Sequence, residues 1–292
     1  MSAAARLSRR LLYRGATSDR LEAAVTRVGP LRMRALASAE RYVAGTTSAD
    51  AFDAVHRLAQ EGLSASVELL GENTADPAEA DGVARHVELA QTLADAPEST
   101  WLSIDLSHLG LDVDPDGCLA RLTAVAEALP PGRLIQVGAK EAERAGAIQA
   151  CVLAAHREGL PVSATLQANL RRSTADAARL AEAGLPIRLV KGAYVEGPET
   201  AWPYGPPTDL AFLRLARELA GRTSLMLATH DPVLLEALLP ASPGTPVEHL
   251  LGVRPDQARE LARRGREVRV YVPFGERWFR YWARRVAESR GA

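Results

Sequence analysis

The chain has 292 residues, 47% of them hydrophobic, and a formal net charge of −1, which fits one barrel or two ordinary domains and gives no bulk attraction to nucleic acid or to a membrane. No apolar run reaches the roughly 18 residues that a membrane-spanning helix needs. Two cysteines without a CxxC motif exclude a disulfide framework and indicate a reducing compartment, so we expect a cytoplasmic protein.

The N-terminal segment is predicted to be helical. Its first sixteen residues contain four arginines and no acid, which is superficially typical of a transit peptide. Leu7, Leu11 and Leu12 follow a helical spacing, however, and favour a plain amphipathic helix. We therefore predict an N-terminal helical arm over residues 1–45 and one barrel domain over residues 46–292.

Eight short apolar segments alternate with helical patterns along the rest of the chain. Strands are predicted at 65–70, 101–106, 133–137, 162–167, 187–191, 223–229, 247–251 and 268–272. Helices are predicted from Pro77-Ala78-Glu79 onward and at 117–129, 139–158, 173–184, 208–221, 231–239, 255–265 and 276–289. Strands that alternate with helices predict βαβ units and a parallel sheet. Eight such units favour an α/β fold of the (β/α)8 TIM-like barrel type over a doubly wound sheet, since no GxGxxG motif follows any strand.

Polar side chains lie at the end of each predicted strand. Active sites of such barrels lie at the carboxyl ends of the strands, so these residues are the candidates for an active site. No HExxH, GxSxG or Cys-His pattern is present, and we expect no metal. The strand-end residues are Glu68, Asp105, Gln136, Gln167, Arg188, Lys191, Thr229, His230, Asp231, Glu248, His249 and Tyr271.

The fifth predicted strand carries an arginine inside an apolar run. Arg188 lies between Ile187 and Leu189, and the strand runs directly into Lys191 and Gly192. A glycine at a strand end lets the backbone approach a ligand closely. The structural alternative for Arg188 is an ion pair with an acid on a neighbouring strand.

Three segments resemble, in the same order, the signatures of the proline dehydrogenase family. They are RLVKGAY at 188–194, LATHD at 227–231, and RVYVPFG at 269–275 followed by YWARR at 281–285. The resemblance is strong over about 160–290 and negligible before residue 45. It implies a (β/α)8 barrel that binds FAD and transfers a hydride from an amino acid to flavin N5.

The resemblance also implies residues that bind the flavin. Arg188 would lie beside N5, where a cation raises the reduction potential of the flavin. For His230 the structural alternative is a histidine that only supports the fold. The implied cofactor contacts are Gln167 at the pyrimidine edge, Arg188, Val190 and Gly192 with their backbone on the isoalloxazine ring, Lys191 and Ala193 in the same segment, and Thr229 and His230 on the ribityl-diphosphate and adenine side.

A second implied set binds the substrate. Arg284 and Arg285 would clamp its carboxylate, a role that suits the planar fork of arginine. Tyr194, Tyr271 and Tyr281 would wall its ring, with Arg188, Tyr194 and Tyr271 as the catalytic group. Core packing of the tyrosines and a solvated basic patch for the arginines are the structural alternatives.

The implied reaction is the oxidation of L-proline, or of a proline-like secondary amine acid, to a cyclic imine such as Δ1-pyrroline-5-carboxylate. A quinone or another electron acceptor would reoxidise the flavin, in loose contact with a membrane surface. Three alternatives stay open at this point: a Schiff-base aldolase or lyase with Lys191 as nucleophile, a relative that acts on a different amino acid, and a barrel that binds a ligand without chemistry.

Two positions depart from the family pattern. Asp105 stands where the second strand usually carries a lysine that helps to hold the substrate carboxylate, and Gln136 stands where the third strand usually carries an aspartate. A site that loses a cation attracts a carboxylate less. We therefore expect L-proline to be a poor substrate and Asp105 to bind a substrate that keeps the carboxylate and adds a donor toward it. The alternative is that Asp105 pairs internally with Arg285 or Lys191 and L-proline still fits.

Overall fold

The computed structural model describes residues 19–71 and 80–289. The predicted amphipathic helix within residues 1–16 and the predicted helix start at 77–79 lie outside these residues. Among the described helices, none combines the length and the hydropathy that a bilayer crossing requires.

The architecture is a closed barrel of eight parallel strands, in which each strand pairs with its neighbours in chain order and β8 pairs with β1. This confirms the predicted (β/α)8 fold. The strands are β1 (Ser64–Leu69), β2 (Trp101–Ile104), β3 (Ile135–Val137), β4 (Val162–Gln167), β5 (Ile187–Val190), β6 (Leu225–Ala228), β7 (Val247–Leu250) and β8 (Val268–Phe274).

Eleven α-helices lie within the described residues. They are α1 (Asp19–Arg27), α2 (Gly29–Ala39), α3 (Ser48–Gln60), α4 (Ala80–Thr92), α5 (Pro115–Glu127), α6 (Ala142–Arg157), α7 (Ser173–Glu182), α8 (Pro206–Leu219), α9 (Pro232–Leu238), α10 (Pro255–Arg263) and α11 (Trp278–Ser289). Five of them begin with proline at the first or second position, where the missing N–H has no partner to lose.

The observed elements differ from the predicted ones mainly at their ends. The second strand is shorter than predicted because Asp105 caps a short 3-10 helix by accepting a hydrogen bond from Ser107 N at 3.0 Å. Helix α3 was not predicted. It begins with a capping box in which Thr47 and Asp50 bind each other's backbone N–H, and this is a signal that the sequence does carry.

The alternation of side chains along each strand separates the core from the barrel lumen. In β5, Ile187 and Leu189 are buried in the main apolar cluster together with Phe212 of α8. Arg188 and Val190 alternate with them and point to the other face. The apolar layer therefore lies between strands and helices, and the polar residues of the strands line the lumen.

The helices before the barrel pack on the C-terminal helix. Residues of α2 and the following turn share an apolar cluster with Trp278, Phe279 and Tyr281 of α11. Arg280 of α11 also forms an ion pair with Glu22 of α1 at 2.8 Å. Helix α11 is thereby held against the barrel from its outer side.

Arg269 plugs the amino-terminal end of the barrel. It is 2% exposed, donates to Ala65 O at 2.7 Å and to Ser99 O at 2.6 Å, and stacks 3.5 Å from the ring centroid of Trp101. Burial lowers the pKa of its guanidinium to about 10. The hydrogen bonds compensate a group that is otherwise costly to bury.

We expect Arg269→Leu to lower the free energy of unfolding by about 3 kcal/mol, because it removes two buried charge-assisted hydrogen bonds and leaves two carbonyls without donors. Urea denaturation monitored by circular dichroism measures this. Arg263→Leu is the control: Arg263 is an exposed residue of α10 that pairs with Glu260, and its loss should change stability by less than about 1 kcal/mol. Equal effects of both variants would contradict the assigned role.

Candidate active site

A cavity of 620 Å³ opens at the carboxyl ends of the strands. This is the size range of ligand pockets. The fourteen residues to which the sequence analysis gave a catalytic, substrate-binding or cofactor-binding role all line this cavity. They are Asp105, Gln167, Arg188, Val190, Lys191, Gly192, Ala193, Tyr194, Thr229, His230, Tyr271, Tyr281, Arg284 and Arg285.

Arg188 takes part in a charged contact across the lumen. It forms an ion pair with Glu248 of β7, and Gln136 of β3 donates to the same carboxylate at 3.0 Å. Because β3, β5 and β7 are not neighbours in the sheet, these contacts cross the barrel interior. Arg188 therefore forms the ion pair that was its structural alternative, and it also lines the cavity. Gln136 is fully buried below the cavity.

The segment after β5 is shaped by a glycine. Gly192 has φ of +110°, and a Cβ added there would lie 1.9 Å from Asn169 Oδ1. Only glycine fits both the backbone angle and the space. This brings the backbone of residues 190–193 close to the cavity.

Lys191 is held by two carboxylates. Its Nζ lies 2.6 Å from Asp209 Oδ1 and 2.7 Å from Asp231 Oδ2. Burial alone would lower the pKa of Lys191, but these two carboxylates raise it above its ordinary value. The side chain is therefore a charged ammonium at neutral pH.

Helix α11 brings a cluster of cations and aromatic rings to the cavity. Arg285 is 9% exposed, donates to Glu288 at 2.8 Å and lies 5.2 Å from the ring centroid of Tyr281. Arg284 lies 5.8 Å from the ring centroid of Tyr194. Both arginines therefore reach the same cavity, although adjacent helical residues point about 100° apart.

The three tyrosines remain protonated hydroxyl groups. Tyr271 and Tyr281 pack with ring centroids 5.9 Å apart, and the Arg188 guanidinium lies 5.8 Å from the Tyr271 ring. Burial raises the pKa of Tyr194 and Tyr271, and it raises the pKa of Tyr281 to about 12. They are also part of the packing, since Tyr271 and Tyr281 belong to an apolar cluster.

Asp105 has a partner that the sequence analysis did not name. Lys140, three residues after β3, places Nζ 2.6 Å from Asp105 Oδ2. Although burial alone would raise it, Lys140 and His108 hold the pKa of Asp105 below its ordinary value. The alternative of an internal ion pair for Asp105 therefore holds with Lys140 as the partner instead of Arg285 or Lys191, and the cavity wall keeps a cation beside this carboxylate.

His230 supports the rim of the barrel. Its Nε2 accepts a hydrogen bond from Leu250 N at 2.8 Å, which requires a ring without a proton on that atom. Burial holds the pKa of His230 well below its ordinary value. His230 therefore supports the fold, which was its structural alternative, and it also lines the cavity.

Several cavity residues were given no catalytic or binding role by the sequence analysis. Lys140 lies in a loop beyond its strand, so the strand ends did not reveal it. Arg254 is the one non-glycine residue with positive φ among the described residues, at +48°. No local sequence pattern predicts this angle. The other ionisable residues of this kind are Glu68, His108, Tyr204, Asp231, Glu248, His249 and Glu288, four of which (Glu68, Asp231, Glu248 and His249) were noted as strand-end residues.

Comparisons with known proteins point to one family. A family described as "Proline dehydrogenase" matches residues 51–292. Proline dehydrogenase 1 of Bacillus subtilis is 32% identical over 261 residues, and proline dehydrogenase of Deinococcus radiodurans is 32% identical over 269 residues, each with 86% of both chains covered.

Solved structures share the fold. Proline utilization A from Bdellovibrio bacteriovorus, inactivated by N-propargylglycine, has a TM-score of 0.81 at 19% identity over 97% of this chain and 36% of its own. A mutant of the Bradyrhizobium japonicum protein has a TM-score of 0.73 at 19% identity over 92% of this chain and 33% of its own. This chain spans about a third of those longer proteins.

Proposed function

Because the chain belongs to the proline dehydrogenase family, we propose that it oxidises L-proline to Δ1-pyrroline-5-carboxylate with FAD as cofactor. The observation that carries the proposal is the convergence of three separate sequence motifs on one cavity. Arg188 comes from the first motif, His230 from the second, and Tyr271 and Arg285 from the third. A barrel that binds a ligand without chemistry does not require this combination.

The residues present fit a flavin. The Nε of Arg188 is buried and has no hydrogen-bond partner among the described residues, so a ligand acceptor can satisfy it. Residues 190–193 line the cavity, which leaves this segment within reach of a flat ring. We assign Arg188, Gln167 and the backbone of residues 190–193 to the isoalloxazine side, and Thr229 and His230 to the ribityl-diphosphate and adenine side.

When bound, FAD supplies a two-electron hydride acceptor. This chain's residues supply binding and orientation. Arg284 and Arg285 pair with the substrate carboxylate, and the rings of Tyr194, Tyr271 and Tyr281 enclose its apolar ring. The substrate carbon next to the amine is thereby held in one position. The buried surroundings favour the uncharged form of the amine, whose lone pair assists the loss of the hydride.

The expectation that L-proline is a poor substrate is not favoured. The relatives that cover most of this chain are called proline dehydrogenases, and the physical premise of that expectation was a lost cation. Lys140 supplies a cation next to Asp105. The pair carries no net charge, so the site keeps the arginine attraction for a carboxylate.

The electron acceptor and the cellular location are also part of the proposal. A quinone or another electron acceptor reoxidises the flavin, and the protein works in the cytoplasm in loose contact with a membrane surface. The family resemblance and the paucity of cysteine support these parts. The helices within residues 1–45 brace α11, and we assign residues 46–292 to the catalytic barrel.

The direct test is flavin bleaching. Purified protein with bound FAD should lose its absorbance near 450 nm when L-proline is added without oxygen, and the product should react as a cyclic imine. D-proline is the matched control, since it has the same groups with the opposite configuration at Cα. A colourless protein that binds no FAD when FAD is added, or a flavin that L-proline leaves oxidised, would overturn the proposal.

The Schiff-base alternative predicts a different outcome. We expect pyruvate with sodium cyanoborohydride to leave Lys191 unmodified, because two carboxylates hold it as an ammonium and a nucleophile must be a free amine. Peptide mass spectrometry checks this. The N-terminal amine serves as the internal positive control for the reagent. A stoichiometric adduct on Lys191 would support an aldolase or lyase instead.

A further inference from the structure

An unusual use of lysine marks the cavity. The sequence has 35 Lys and Arg residues, of which two are lysine, Lys140 and Lys191. Both line the cavity. A compact ammonium with three donors and a planar guanidinium are not interchangeable at a binding site. Lys191 has two carboxylate partners, whereas Asp105 is the one ion-pair partner of Lys140 among the described residues.

The backbone that carries Lys140 is held in place from two sides. Gln167 Nε2 of β4 donates to Lys140 O at 2.8 Å. The hydroxyl of Tyr194, in the loop after β5, donates to Ala139 O at 3.2 Å. These bonds anchor the Lys140 loop to β4 and to the loop after β5, as a preorganised binding group requires.

The ammonium of Lys140 is charged and accessible from the cavity. The Lys140 and Asp105 side chains are 20% and 16% exposed. Although burial alone would lower it, the Asp105 carboxylate raises the pKa of Lys140 above its ordinary value. Because an ammonium has three hydrogens, the contact with Asp105 leaves donors for a ligand.

The neighbours of Lys140 include the arginines of α11. Tyr194 contacts the Lys140 loop through its hydroxyl and lies 5.8 Å from the Arg284 guanidinium through its ring. A carboxylate has about four lone-pair positions, and one bidentate arginine with a single contact from the second arginine uses three of them. A further donor from the Lys140 side therefore matches the remaining acceptor position.

We propose that Lys140 binds the substrate carboxylate, from a different strand than the lysine that is absent at position 105, and that Asp105 is the positioning residue that holds the ammonium. This inference rests on the proposed function. Its rival is a closed pair in which Lys140 only neutralises Asp105 and touches no substrate.

Two variants separate these possibilities. Lys140→Met removes the ammonium and leaves the Asp105 carboxylate unpaired. Asp105→Asn with Lys140→Met removes both charges, so no unpaired charge is left in the wall. If Lys140 only neutralises Asp105, the double variant should regain wild-type affinity; if Lys140 binds the carboxylate, it should not.

Binding to the FAD-loaded protein is measured by calorimetry with two probes. Cyclopentanecarboxylate keeps the ring and the carboxylate, and pyrrolidine keeps the ring and the amine. We expect at least tenfold weaker binding of cyclopentanecarboxylate, about 1.4 kcal/mol, in both variants. In the double variant, pyrrolidine binding should stay within threefold of wild type, and KM for L-proline should rise tenfold with kcat within threefold.

Arg144→Met is the matched control. Arg144 forms an ion pair with Asp112 at 2.9 Å and similar exposure and does not line the cavity, so both affinities should stay within twofold. Wild-type affinity for cyclopentanecarboxylate in the double variant would overturn the inference. The binding arm needs no turnover, so a wild-type protein that binds the carboxylate through Lys140 but does not oxidise L-proline would refute the proposed function alone.

Discussion

Arg285→Met should lower kcat/KM for L-proline by about 100-fold or more. Removing one partner of a desolvated charge pair costs about 2–5 kcal/mol, and each 1.4 kcal/mol is a factor of ten. Arg285 is 9% exposed, and within the part of the chain that the structure describes its one ion-pair partner is Glu288, which lies on the same helix. We expect most of the loss in KM, measured by steady-state kinetics with an artificial electron acceptor.

Arg280→Met is the control for that result. Arg280 lies on the same helix, is 45% exposed and pairs with Glu22, and it does not line the cavity. Its loss should change kcat/KM by less than threefold, since exposed ion pairs contribute little. If the two variants lose activity equally, the damage comes from the helix rather than from a carboxylate clamp.

Arg188→Met should lower the reduction potential of the bound flavin by roughly 60–90 mV. A unit charge about 4 Å away contributes about 4 kcal/mol at an effective dielectric of 20, and 30 mV corresponds to about 1.4 kcal/mol for a two-electron couple. Potentiometric titration against a reference dye measures this, and anaerobic stopped-flow should show slower reduction by L-proline.

The same variant leaves the Glu248 carboxylate unpaired in the lumen, which is expected to destabilise the fold by about 3–5 kcal/mol. Arg188→Met combined with Glu248→Gln should restore stability while the potential stays below that of wild type. Arg188→Lys should recover most of the potential, because it keeps the charge. A potential that is unchanged in Arg188→Met would refute the assignment of this arginine to the flavin.

Much of the fold could be predicted because strand and helix patterns are local. The eight apolar segments match the eight strands, and 162–167 matches β4 residue for residue. Errors fall at strand ends, as at Asp105, where a side-chain cap begins a 3-10 helix. Such an end depends on one hydrogen bond rather than on the periodicity of a segment.

The sequence by itself determined that most of the polar strand-end side chains would lie on one face, because the strand ends of one parallel barrel must do so. Only the tertiary structure decided which charges pair there. Asp105 and Lys140 form an ion pair although they are 35 positions apart in the chain. Arg188 and Glu248, which are 60 positions apart, form an ion pair across the lumen. Partners at such separations follow from barrel closure and from the path of each loop, since Coulomb attraction depends on distance in space and not on spacing along the chain.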